Sequence, residues 1–248
     1  METDRILIAC AGSLSAAAAL IALPFAKQTG ADVAILRGPA GLLAQAIREG
    51  VEADVYVSAS RRGPEALHSE GLFDAPRLIA HNRLVLAARP ECKGDAMALL
   101  DDPRWCIGMS TPGADPGGDY AEAFLDALAA DDPERAQAIR SRTQHLFGGT
   151  LPDETEPYGA TPLGALQSGQ ADLLLVYATT ATRLAADCPG LRILPLPAGY
   201  APPTDICAST RRGCGVTATA FARYLEGEAA QAILKGEGFQ LPLSAAGS

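Results

Sequence analysis

The stretch RILIACAGSLS, residues Arg5–Ser15, decides the fold, because an apolar run passes through a turn of small residues into an apolar helix. A continuous apolar run is typical of a buried parallel strand, and ligands of open α/β sheets bind off the carboxyl ends of such strands. Gly12 lets the backbone approach a bound group, and Ser13 offers a hydroxyl and an amide where the helix dipole favours an anion. The alternative is that Ser13 or Ser15 only caps the helix, and the turn taken alone favours capping.

Length and charge restrict the class of protein. The chain has 248 residues, of which 48% are hydrophobic, enough for one large α/β domain or for two lobes with cores of their own. Its net charge of −9 argues against nucleic acid and anionic membranes as partners, because both require a basic patch. An anionic ligand would therefore be held by local dipoles and not by the overall field.

Targeting and cysteine usage leave the compartment open. The apolar run Ala16–Phe25 is too short for a membrane span and contains Pro24, so it predicts a buried helix. No export signal precedes the first strand, so we expect a cytoplasmic protein, or a periplasmic one if a signal peptide has been removed. The six cysteines include no C-x-x-C pair, which favours mostly buried free thiols over a zinc site.

Strands and helices alternate along the chain, which predicts an α/β fold with parallel sheets flanked by helices. The apolar segment Leu173–Tyr177 predicts a buried strand. A helix is predicted to begin near Asp119 or Tyr120, after a segment rich in Gly, Pro and Asp. Another is predicted to begin at Pro162, with Thr161 as its cap.

Five short motifs, in this order, resemble the molybdate- and tungstate-binding proteins of ABC importers, and the likeness spans nearly the whole chain. The motifs are Ala11–Ser15, Gly38–Gly41, Ala53–Ala59, Asn82–Leu86 and Val176–Thr179. The closing stretch from Phe221 to Phe239 is also similar to that family. The resemblance therefore covers both ends of the chain as well as its middle.

The resemblance implies a two-lobed type II periplasmic-binding-protein fold, each lobe a mostly parallel sheet flanked by helices. Two crossing strands would join the lobes, near Arg83–Ala88 and Asp205–Ser209. Lobe 1 would then comprise residues 1–84 and 205–248, and lobe 2 residues 85–204. In this family the ligand is held between the lobes, which close by a hinge motion.

The resemblance also implies a set of neutral donors for a tetrahedral oxyanion. Ser13 matches a serine ligand of the first lobe, which gives its hydroxyl and its amide. Gly117 and Gly159 match backbone donors of the second lobe. Tyr177 matches a tyrosine whose phenol reaches the oxyanion. Oriented N–H dipoles in a dry cleft can hold an anion in this way without a countercharge.

One position departs from the family pattern. Where two serines are usual, this chain has Pro39 and Ala40, so a hydroxyl is missing and only Ala40 can offer an amide. One lost hydrogen bond to a charged ligand costs about 1.5–3 kcal/mol, or roughly ten- to a hundredfold in affinity. The departure either weakens binding or signals a different ligand.

Each candidate also has a purely structural interpretation. Tyr177 could end its strand with the hydroxyl at the surface, and Gly117 could be a turn residue like Gly118. Asp115 and Asp119 would repel an anion, so Asp119 is assigned to capping or charging the first turn of its helix. Thr161 is expected to be a helix cap before it is a ligand.

Catalysis is disfavoured by the sequence. The three histidines, His68, His81 and His145, have no recognisable partner spacing, and the chain has neither a nucleophile motif nor a phosphate-binding P-loop. We expect a binding protein without cofactor or cation site, a monomer that captures molybdate or tungstate and serves an ABC transporter permease if exported. The alternatives are a cytosolic oxyanion sensor or carrier, or a binding protein for another small ligand.

Overall fold

The computed structural model describes residues 4–149, 161–201 and 204–242. The chain forms two compact units, unit 1 comprising Met1–Asn82 and Asp205–Ser248, and unit 2 comprising Arg83–Thr204. The chain therefore leaves unit 1 after Asn82 and returns to it at Asp205.

Strands and helices alternate as the sequence pattern predicts. In chain order the described strands are β1 Arg5–Ala11, β2 Asp32–Gly38, β3 Val55–Ser58, β4 Arg77–Asn82, β5 Leu84–Ala88, β6 Ile107–Ser110, β7 Thr143–Phe147, β8 Leu173–Tyr177, β9 Arg192–Pro195 and β10 Thr204–Thr210. The described helices are α1 Ser15–Thr29, α2 Ala40–Arg48, α3 Arg62–Ser69, α4 Ala96–Asp101, α5 Pro116–Asp131, α6 Pro133–Arg140, α7 Pro162–Gln167, α8 Ala178–Asp187, α9 Val216–Tyr224 and α10 Glu228–Gly236. A 3₁₀ turn, Gly12–Leu14, precedes α1.

Each unit is built on one five-stranded sheet. In unit 1 the order is β2-β1-β3-β10-β4, with β1 parallel to β2 and β3, and β10 antiparallel to β3. In unit 2 the order is β7-β6-β8-β5-β9, with β6 parallel to β7 and β8, and β5 antiparallel to β8 and β9. The two-lobed α/β fold is confirmed, and both of its sheets are mixed.

The central strands are apolar runs in the sequence because both of their faces are buried in a core. In β1 the side chains of Ile8, Ala9 and Cys10 are 0% exposed, as expected for a central strand covered on both faces. Strand β5 contributes side chains to two separate cores. Leu84 and Leu86 pack on one face of the sheet, and Val85 packs on the other. A run without polar residues is therefore the sequence of a strand that has no solvent-facing side.

The start of α5 differs from the prediction. The helix begins at Pro116 and not near Asp119, because Asp115 is its N-cap and accepts a hydrogen bond from the Gly117 amide. Proline at the first helical position suits this start. A Cβ on Gly118 would lie 2.5 Å from the carbonyl oxygen of Ser110, so this glycine serves a close approach to β6 and not a turn.

The predictions for helix caps and for one short helix had different outcomes. Thr161 does cap α7, accepting from the Gly164 amide at 3.0 Å. The capping role favoured for Ser13 or Ser15 is wrong, because the N-cap positions of the 3₁₀ turn and of α1 are Ala11 and Leu14. Helix α4 was not predicted.

Two further properties concern the cysteines and the possibility of a membrane-spanning helix. All six cysteines are free, and three of them, Cys10, Cys92 and Cys207, are buried. Among the residues that the structure describes, no helix combines the length and the apolar character needed to cross a membrane.

Candidate functional site

In unit 1, Ser13 and Ala40 follow neighbouring parallel strands at the same edge of the sheet. Strands β1 and β2 stay in register to their last residues, where Ala11 lies opposite Gly38. Ser13 lies in the 3₁₀ turn after β1, and Ala40 is the first residue of α2 after β2. The structure therefore brings these two predicted site residues to one place, at the carboxyl ends of the strands.

The helices at this edge begin without a side-chain cap. The N-cap residues are Ala11 for the 3₁₀ turn, Leu14 for α1 and Pro39 for α2, and none makes a side-chain cap hydrogen bond. The first amides of an α-helix have no partner within the helix. At the start of α2 those amides are therefore left to a partner other than the N-cap side chain.

Ala40 is held firmly by the neighbouring strand. Its carbonyl oxygen accepts a hydrogen bond of 2.6 Å from the hydroxyl of Tyr56, which is fully buried in β3. Gly63 makes room for that tyrosine, since a Cβ there would lie 2.8 Å from the Tyr56 hydroxyl. The backbone at Ala40 is fixed although the usual serines are absent.

In unit 2, Gly117 and Tyr177 lie side by side. Tyr177 ends β8 and is 4% exposed, so the interpretation that its hydroxyl simply reaches the surface is wrong. Gly117 is buried in the first turn of α5, where a Cβ would lie 2.8 Å from the Ser110 hydroxyl and 3.5 Å from Cε2 of Tyr177. The Tyr120 ring packs edge-on against that of Tyr177, with centroids 6.2 Å apart.

Asp115 lies at the centre of this group. It accepts from the Gly117 amide at 3.3 Å and from the Ser110 hydroxyl. Burial, and to a lesser extent the charge of Asp119, raise the pKa of Asp115 to about 6 against the opposite effect of the two hydrogen bonds. No sequence signal pointed to Ser110, and Asp115 was expected only to repel an anion, although Asp-Pro is itself a helix-start signal.

Tyr177 stays a neutral hydrogen-bond donor over the whole physiological range. Burial first, and then the nearby Asp115, Tyr120 and Asp119, raise its pKa well above the ordinary value. Asp119 lies in the first turn of α5, as predicted, and accepts from the Gly113 amide at 2.7 Å. Gly159 lies outside the described residues, so its role stays a prediction.

The histidines occupy ordinary structural places. His68 contacts the carbonyl oxygen of Phe73 at 3.0 Å, and His81 contacts Asp205 at 2.8 Å. The other oxygen of Asp205 accepts from Arg61 at 2.6 Å. No group of three or more His, Cys, Asp or Glu side chains in the described parts of the chain could hold a metal ion.

Comparison with known proteins gives a consistent picture. A family model described as bacterial extracellular solute-binding protein matches residues 6–240. An uncharacterised protein of Pasteurella multocida is 31% identical over 178 residues, which cover 69% of this chain and 73% of that protein. The molybdate-binding protein ModA of Haemophilus influenzae is 24% identical over 246 residues, which cover 95% of this chain and 89% of ModA.

Solved structures agree on the fold. The periplasmic molybdate-binding protein of Azotobacter vinelandii has a TM-score of 0.76 and 26% identity, covering 96% of this chain and 100% of that one. The sulfate-binding protein SubI of Mycobacterium tuberculosis has a TM-score of 0.77 at 14% identity, covering 98% of this chain and 88% of that one. The fold is thus shared by proteins named for two different oxyanions.

Proposed function

The chain belongs to the bacterial extracellular solute-binding proteins, and from this premise we propose that it captures molybdate or tungstate and delivers it to an ABC importer. The family and the solved neighbours are binding proteins and not enzymes. The observation that carries the proposal is the edge of the unit 1 sheet, where Ser13 and the uncapped start of α2 follow two adjacent strands.

The physics of this edge suits an anion. Helix N-termini present amide hydrogens and a positive dipole end, so an anion gains hydrogen bonds without a neighbouring cation. The net charge of −9 makes such local donors necessary, because the overall field repels anions. In unit 2, we propose that the Gly117 amide and the neutral Tyr177 phenol donate to an oxyanion ligand.

We propose molybdate or tungstate rather than sulfate as the ligand because of the names of the relatives and because the dimensions of the site can distinguish these anions. Relatives named for molybdate align over most of this chain, one of them over 95% of it. All these anions are tetrahedral and accept the same donors, so the dimensions of the site would decide between them. The missing serine at Pro39-Ala40 is compatible with this ligand if the Ala40 amide or a water replaces the hydroxyl.

Calorimetric titration with molybdate, tungstate, sulfate and phosphate in parallel tests the proposal. We expect one-to-one binding of molybdate and tungstate at much lower concentration than sulfate or phosphate. Tight binding of sulfate alone would assign the protein to sulfate uptake. Heat from none of the four anions would overturn the oxyanion function altogether.

We further propose that the protein works in the periplasm as a monomer and that its partner is the permease of the importer. Membership of an extracellular family supports this location. Cell fractionation followed by immunodetection tests it, with a cytosolic enzyme as the marker for lysis. Recovery of the protein with the cytosolic marker would favour the alternative of an intracellular oxyanion carrier.

A further inference from the structure

The half-buried carboxyl of Asp115 already uses the donor that the proposed function assigns to the ligand. Its Oδ1 accepts from the Gly117 amide at 3.3 Å, and the Ser110 hydroxyl donates to the same carboxyl group. A Cβ on Gly148 would lie 2.9 Å from Oδ2 of Asp115, so a glycine on the far side makes room for the carboxyl. An anion that takes the Gly117 amide must therefore displace a negative charge or neutralise it.

We propose that Asp115 couples oxyanion binding to the uptake of one proton, so that the ligand binds tightly only when this carboxyl is neutral. The proposal rests on the proposed function, because it concerns the same anion and the same Gly117 donor. On capture, a carboxylate oxygen of Asp115 takes a proton from solvent, and the Gly117 amide turns from Asp115 to an oxygen of the anion. Release of the anion returns the proton.

The surroundings of Asp115 favour this exchange at physiological pH. Among the residues that the structure describes, the titratable groups that act on it or on its neighbour Tyr177 are Asp119 and Tyr120, on the same helix, and Tyr177 itself, on β8. Burial penalises the carboxylate and Asp119 adds negative charge, and these effects outweigh the two hydrogen bonds and bring the pKa of Asp115 to about 6 without ligand. An incoming dianion raises that pKa further, because like charges disfavour the ionised form.

The linkage predicts a measurable pH dependence. In the pH range in which Asp115 is ionised in the free protein and neutral in the complex, each increase of one pH unit weakens the affinity by about tenfold. With a free pKa of about 6, the affinity at pH 8 is roughly 100-fold below its acid limit. Below pH 6 the dependence disappears, because both states then carry the proton.

The test is calorimetric titration with tungstate between pH 6.5 and 8.5 in buffers that differ in ionisation enthalpy, which counts the protons taken up. We expect nearly one proton per anion for the natural chain and none for Asp115→Asn. The variant should bind about 100-fold tighter than the natural chain at pH 8. Because Asn caps helices as well as Asp does, the variant keeps the start of α5.

Asp132→Asn is the matched control. Asp132 caps α6 in the same unit through the Arg135 amide, so this change also removes one capping carboxylate. We expect it to bind and take up protons like the natural chain. Asp115→Ser, a second neutral cap, should behave like Asp115→Asn.

The outcomes separate this inference from the proposed function. Oxyanion binding without proton uptake, or equal uptake by the natural chain and Asp115→Asn, overturns the inference and leaves the proposed function intact. Absence of binding to any oxyanion in every variant overturns the proposed function, and the inference with it.

Discussion

The helix starts near the candidate site residues differ in how they are capped. In unit 1 the N-cap residues Ala11, Leu14 and Pro39 offer no side-chain hydrogen bond. In unit 2 Asp115 and Thr161 cap α5 and α7 with their own oxygens, whereas α8, whose N-cap is Tyr177, has no side-chain cap. An uncapped helix start keeps its amides for an external anion, and a capped start has satisfied them internally. Under the proposed function, an anion meets uncapped helix starts after β1 and β2, and at the start of α5 it has to compete with a carboxylate.

The same contrast appears in the packing around the glycines. A Cβ on Gly12, in unit 1, would meet nothing nearer than the Gly38 carbonyl oxygen at 4.0 Å. A Cβ on Gly118, in unit 2, would lie 2.5 Å from the Ser110 carbonyl oxygen and 2.6 Å from the nitrogen of Pro112. The start of α5 is pressed against the backbone beside it, and the Asp115 carboxyl accepts a hydrogen bond from the Ser110 hydroxyl in the same place.

The largest expected effect is on stability, from Gly118→Ala compared with Gly12→Ala. The first substitution forces backbone atoms apart and should lower the free energy of unfolding by about 3 kcal/mol. The second should change it by less than about 1 kcal/mol, because space is free there. Denaturant titration measures both, with circular dichroism for each variant and the fluorescence of the single tryptophan, Trp105, for unit 2. Equal losses would show that the two edges are packed alike.

Next in size is the loss of a hydrogen bond to the anion in each unit. Ser13→Ala and Tyr177→Phe should each weaken molybdate binding by about ten- to a hundredfold without unfolding the protein. The matched controls are Ser209→Ala, a buried serine in the unit 1 sheet, and Tyr200→Phe, whose hydroxyl donates to Asp131 at 2.9 Å. Unchanged affinity in both site variants would move the site elsewhere. A loss in only one would assign binding to that unit alone.

The sequence predicted those features that depend on neighbouring residues. The apolar runs of β1 and β8 marked buried strands because buried strands need no polar side. The Thr161-Pro162 pair marked the start of α7, because a cap and an N1 proline act within one turn. The order of strands and helices followed from the same local patterns.

Features that depend on distant residues were missed. His81 and Asp205 are 124 residues apart and Arg61 and Asp205 are 144 apart, so no spacing rule could pair them. Gly117 and Gly118 look like turn residues in the sequence, and only the structure shows that they lie in the first turn of α5, close to Ser110 at the end of β6. The proposed role of Asp115 likewise depends on Ser110, Gly148 and Tyr177, which come from three other segments of the chain.

A third prediction concerns the pH dependence of stability at the capped edge. The pKa of Asp115 is about 6 in the folded protein against an ordinary value of 3.8, so between these values the folded state holds more protons than the unfolded chain. The free energy of unfolding therefore falls as the pH rises from about 4 to 6. Asp115→Asn lacks this loss. Its free energy of unfolding, relative to that of the natural chain, should therefore rise by about 1–3 kcal/mol between pH 4 and pH 7. A gain that does not change with pH would mean that Asp115 is not the group that titrates.

The smallest expected effect is at the uncapped edge, where Ala40→Ser would restore one of the usual hydroxyls. The Ala40 backbone is already fixed by the Tyr56 hydroxyl, so the substitution adds a donor without reorganising α2. We expect molybdate affinity to stay equal or to improve by up to about tenfold, measured by the same titration. Ala40 is only 1% exposed, so the added oxygen must find room beside the anion. A loss of more than about tenfold, roughly 1.4 kcal/mol, would show that Pro39 and Ala40 shape a site for a different ligand.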